Sequence, residues 1–135
     1  MSYGVAAALQ AAIYQRLMAD TALDALVGSA IYDAVPPGAV GGTYVSIGPE
    51  VATDASSQAE RGALHEFSVS VVTDAAGFQN AKAVAAAVSD ALVGATLILA
   101  RGRLVGLWFQ RAKARRVEDA DVRRIDLYFR ARVED

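Results

Sequence analysis

His65 is the only histidine in the 135 residues, and there is no cysteine at all. A two-histidine metal site, thiolate nucleophiles, disulfides and cysteine-ligated zinc or iron–sulfur centres are therefore excluded. A histidine-based triad would need serine and carboxylate partners in a recognisable arrangement, and no motif supplies them. His65 reads as a structural or surface residue. The carboxylates Glu118, Asp119 and Asp121 crowd into one turn, where exposure to solvent accounts for them without a catalytic role. A calcium loop would alternate more oxygen ligands and close on a glutamate, which this segment does not do. Gly38, Gly41 and Gly42 follow a proline turn and lead into a strand, the reverse of the strand-to-helix setting of a phosphate-binding loop. Trp108 and Tyr128 lie near basic residues, but one exposed aromatic does not make a stacking platform for bases; Trp108 is expected in the core. No catalytic, cofactor or metal residues are expected, and the chain does not read as an enzyme.

The residues that carry charge rather than chemistry are arranged unevenly. Residues 1–100 hold three basic and nine acidic side chains, net −6, whereas residues 101–135 hold ten basic and six acidic, net +4. Opposite signs on two parts of one small domain suit head-to-tail association of copies. The alternative is a solvated hairpin in which Asp126 and Glu134 pair with neighbouring arginines, since exposed pairs contribute little.

The elements that must position these charges can be read from hydrophobic spacing. Val5, Leu9, Ile13 and Leu17 recur every fourth residue, with Ala8 and Ala12 filling the stripe, which predicts an amphipathic helix over 3–19. Asp20 stands as an N-cap and Gly28 as the terminator of a short second helix. Ala30–Val35 and Thr43–Ile47 read as short strands separated by Pro36-Pro37-Gly38. From Gly48 to Gly62 the residues are small and polar without a usable period, so a long exposed loop is expected, of the kind that serves binding. Leu64–Thr73 alternates, with Phe67, Val69 and Val71 on one side, as in a strand packed on one face. Gln79–Val93 places Ala81, Val84, Ala85, Val88, Ala91 and Leu92 on one helical stripe. Thr96–Leu99 is a short apolar segment, expected as a further strand before the last two.

The last third predicts a long β-hairpin, Arg103–Val117 and Val122–Val133, turning at Glu118–Asp121. In its first strand Val105, Leu107 and Phe109 give way at odd positions to Arg111, Lys113 and Arg115. Burying that second half would strand several charges, so it must project into solvent or onto a partner. The sum is one α+β domain over residues 1–135: a mainly antiparallel sheet, two long helices packed on one face, and the C-terminal hairpin. With 54% hydrophobic residues and this length, one core suffices without staples. No apolar run reaches the ~20 residues of a membrane span and no basic signal-peptide region opens the chain, so a soluble intracellular protein without membrane contact is expected.

The order of elements and several local signatures resemble the tail terminator, or tail completion, proteins of long-tailed phages and gene transfer agents. They are Leu26-Val27-Gly28, Ile31-Tyr32-Asp33, Pro36-Pro37-Gly38, Tyr44-Val45-Ser46-Ile47-Gly48 and His65-Glu66-Phe67, followed by Gly77, Ala91-Leu92, Leu104-Val105 and Phe109. The likeness runs from Leu9 to Val133. It implies a structural virion protein, assembled in the bacterial cytoplasm, that sits at the tail-head junction. There it would form a homo-oligomeric, hexameric ring on the tail tube protein, stop tube polymerisation, and meet the head-completion (stopper) protein. DNA would pass through the lumen without sequence-specific binding. On this reading the intersubunit and axial contacts come from Glu50, Asp54, Glu60 and Arg61 of the loop region and from Arg111, Lys113, Arg115, Arg116, Arg123, Arg124, Arg130 and Arg132 of the hairpin. The alternative is a nucleic-acid-binding accessory module that uses the basic hairpin with Tyr128, whose binding would weaken steeply with salt.

Overall fold

A computed structural model describes residues 3–35 and 41–135. The Pro36-Pro37-Gly38 turn lies outside the described residues. Helix α1, Ala6–Ala19, buries Leu9, Ile13 and Leu17 with Ala6 and Ala12, as the four-residue spacing requires. Helix α2, Thr21–Val27, is capped by Asp20, whose carboxylate accepts the Leu23 amide at 3.0 Å. It ends at Gly28, with φ 59°, a conformation L side chains rarely adopt. Helix α3, Gln79–Leu92, buries Val84, Val88 and Leu92 among its alanines. Its small residues let it lie close to the sheet.

Among the described residues the sheet has five strands: β1 Ile31–Tyr32, β2 Thr43–Asp54, β3 Gly62–Thr73, β4 Arg103–Val117 and β5 Val122–Glu134, in the order β1-β2-β3-β5-β4. Only the β1–β2 pair is parallel. Phe67, Val69 and Val71 of β3 lie opposite Phe129, Leu127 and Ile125 of β5, and together they form the face on which α1 and α3 pack. Phe129 is its centre, stacked on Phe67 at 5.5 Å and met edge-on by Phe109 at 5.9 Å. The fold class is that read from the sequence, and so are the hairpin boundaries except that β5 runs one residue further, to Glu134.

Several local expectations change. The segment 48–62 is not one long loop: β2 runs on to Asp54, pairing Glu50 with Phe67 through Asp54 with Ala63, and only 55–61 is loop. A register shift between Ile47 and Glu50 carries the strand past Gly48-Pro49, the way a bulge accommodates proline. Past that bulge Val51 and Thr53 face solvent and the other face carries only the partly buried Glu50 and Ala52, so the strand lacks the hydrophobic alternation that would reveal it. The strand expected at Ala30–Val35 is only two residues long. Thr96–Leu99 forms no strand; Leu97 and Leu99 lean on the core while Ile98 is 93% exposed.

Trp108 is not in the core but 45% exposed, because it shares a face with Arg130 rather than with Phe129. The second face of β3 is also less open than its alternation implies. Ser68 and Ser70 are buried there beneath longer side chains of the flanking strands. Small residues at the middle of a strand leave room for neighbours to close over them.

Candidate assembly interface

The switch in β4 from apolar to basic odd positions has a structural cause. The β4–β5 register shifts between Leu104 and Gly106 and again between Phe109 and Arg111. The second bulge inverts the phase of the strand: Leu107 and Phe109 lie on the helix-side face, and beyond it Ala112 and Ala114 take that face while Arg111, Lys113 and Arg115 move to the opposite one. The bulge in β2 falls at the same level, beside Phe67. Both flanking strands therefore kink around the Phe67–Phe129 pair.

This places a basic stripe on the outer face of the sheet. Arg111 lies with its guanidinium 4.1 Å from the centre of the Tyr128 ring. Asp126 is the anion at the middle. It accepts hydrogen bonds from Ser70 Oγ at 2.6 Å and Arg124 Nε at 2.8 Å, with Arg115 Nε at 3.8 Å. Arg124 Nη2 also donates to Ser70 Oγ at 3.0 Å. Burial pushes the Asp126 carboxyl up, but the bonds from Ser70 and Arg124 and the charges of Arg124 and Arg115 outweigh it and hold its pKa below the usual value. A groove of about 360 Å³ opens beside the network, lined by Pro49, Val51, Glu66, Ser68, Arg111, Arg124, Asp126 and Tyr128 among others.

The twelve interface residues expected from the sequence do not form one patch. Arg111, Lys113, Arg115 and Arg124 come together on the outer face around Asp126, with Arg130 and Arg132 further along the same face. Arg132 donates to the Ala55 carbonyl at 3.2 Å. Arg116 lies 3.7 Å from Asp121 at the hairpin tip, and Arg123 turns to the helix side, donating to the Ala75 carbonyl at 3.0 Å with its guanidinium 5.6 Å from the Phe78 ring centre. Glu60 and Arg61 sit at the other end, in a recess of about 630 Å³ shared with Arg101, Arg103, Glu134 and Asp135. There a hydrogen bond to Glu134 and its charge raise the Glu60 pKa, while the same bond and Arg103 lower that of Glu134. Asp54 is held low by a hydrogen bond from Ser56.

Glu50 lies on the helix-side face of β2. There it accepts from the Tyr3 hydroxyl and stands 3.2 Å from Nδ1 of His65. His65 is fully buried, and its Nε2 has no partner among the described residues. It is a core residue and not a surface one, and the Glu50 partnership was not visible in sequence. The two lie 15 positions apart, and only the β2 bulge brings them onto one face. Among the described residues no cluster of His, Asp and Glu suits a metal ion, and no helix is long and apolar enough to cross a membrane.

Residues 11–134 match the family model described as tail completion protein gp17. The chain belongs to that family. Membership establishes a structural role in a tail. Among solved structures, the chain is similar to one from the virion of a native gene transfer agent particle, with 72% identity and a TM-score of 0.93, covering 99% of this chain and 100% of that one. No curated protein matches it.

Proposed function

We propose that this family member is a virion protein that forms a ring at the head-side end of a gene transfer agent or phage tail. The ring stops tube growth and offers its free face to the head-completion protein. The observation that carries the reading is the full-length likeness, at 72% identity, to a chain of a native gene transfer agent virion. Geometry adds a surface suited to protein contact: a rigid hairpin whose basic side chains stand out from a buried network instead of lining a catalytic cleft. DNA passes through the lumen, and no sequence readout is required of it.

The nucleic-acid-binding alternative loses ground because Arg111 already occupies one face of the Tyr128 ring that would stack on a base. Electron microscopy of the assembled particle tests the proposal. A ring of this chain between tube and head connector, with the hairpin in contact with protein, is the expected result. A hairpin and a 55–61 loop that both point away from all protein would overturn the interface assignment.

A further inference from the structure

Strand β4 ends the sheet, and its second half lies beyond the cover of the helices: every residue of 108–116 is exposed. The Leu107 carbonyl accepts the Gly94 amide at 3.3 Å, so the backbone of Leu107 points away from β5. From 108 to 117 no backbone group among the described residues bonds to that outer edge. Along a strand of L residues, the face a side chain takes and the edge its backbone groups take go together. Leu107 shares the helix-side face with Phe109, Ala112 and Ala114. These three therefore also direct N–H and C=O outward.

The two faces beside this edge differ in chemistry. On the outer face stand Arg111, Lys113 and Arg115; on the helix side stand Ala112, Ala114 and Phe109, the last 44% exposed. Strand β4 carries five basic side chains and no acidic one. Arg103, Arg115 and Arg116 face Glu134, Asp126 and Asp121. Arg111 lies on the Tyr128 ring, and neither it nor Lys113 meets a carboxylate among the described residues.

We propose that the 108–117 edge of β4 receives an extended segment of another protein in which acidic residues alternate with small or apolar ones, adding as a further strand. Main-chain bonds form at Phe109, Ala112 and Ala114. The incoming carboxylates lie beside Arg111, Lys113 and Arg115, and the apolar side chains beside Phe109. Charge selects this occupant. A β4 strand of a second copy would set the same cations against one another, the usual guard on an edge strand. A nucleic acid would answer the cations but set its phosphates against the outward carbonyls. The inference deepens the junction reading by naming what the hairpin meets. It is tested on free protein, so its failure is distinct from a failure of the ring.

The probe is a synthetic peptide of about ten residues, a long strand, in which Glu alternates with Val. Hydrogen exchange of the unmodified protein is followed residue by residue as the peptide is added at low salt. The amides of Phe109, Ala112 and Ala114 are expected to slow on the order of tenfold, while those of Lys113 and Arg115, which point toward β5, change little. Ala112→Pro removes one outward N–H at a site where an edge strand tolerates proline. It should weaken binding about tenfold with every charge in place. A peptide of the same composition with its Glu residues in one block should bind more weakly. Equal binding of the two peptides would overturn the proposal, as would no slowing at saturating peptide. So would an oligonucleotide that slows the same amides more than the peptide does, or a dimer of the free chain that protects them without any peptide.

Discussion

At Asp126 a single carboxylate holds the outer face together. It is nearly buried, takes hydrogen bonds from Ser70 and Arg124, and faces Arg115 across the hairpin. Removing it leaves a serine hydroxyl and a guanidinium with an unmet partner, so Asp126→Ala should cost about 2 kcal/mol, the scale of hydrogen bonds to a charged group. Urea unfolding measures it. The pH dependence follows from the direction of the shift. Its folded pKa lies below the unfolded value near 3.9, so its contribution is complete above that value and is lost as pH falls through the lower, folded pKa. In an acid titration of stability, Asp126→Asn should flatten the fall below about pH 4; an unchanged slope would contradict the account. On the helix side, Glu50→Ala removes the partner of a fully buried His65 whose other nitrogen has none among the described residues. A loss of about 1–3 kcal/mol is expected by the same unfolding assay.

Among the elements, the central strands decide stability and the edge strands decide contact. Phe129→Ala empties the centre of the aromatic cluster and should cost about 3–5 kcal/mol. Deleting Gln110 should act differently, because it removes the extra residue of the second β4 bulge but leaves Arg111 opposite Tyr128, so Arg111, Lys113 and Arg115 keep the outer face. The helices should remain, as circular dichroism would record, and incorporation into particles should be retained. The same contrast explains what the sequence made legible. Helices α1 and α3 and strands β3 and β5 bury a regular stripe, so periodicity marked them. Strand β2 beyond Pro49 buries little, and its Val51 and Thr53 alternate against solvent, so it read as loop. Trp108 read as core because two bulges, invisible to a strict two-residue period, change which face of β4 looks inward. Among site residues, the basic cluster of the hairpin was evident from charge. The division of the twelve into an outer stripe, an end recess and a tip depends on register, and register is a property of the partner strand.

For the whole molecule, the separation of charge between the first hundred residues and the last thirty-five predicts an assembly sensitive to salt. Free protein should sediment as a monomer at low concentration and gather into a ring only on its template, which keeps rings from closing before the tube is finished. A tight ring already formed in dilute solution would contradict this. Reversing the stripe with Arg111→Glu, Lys113→Glu and Arg115→Glu together should leave the core folded, since all three are exposed, and abolish entry into particles. The most direct test of the tail-ending role is electron microscopy of particles made without this chain, scored for tail length and for joining to heads. The account predicts tails of irregular length that remain unattached; uniform tails, capped and joined to capsids in its absence, would contradict it.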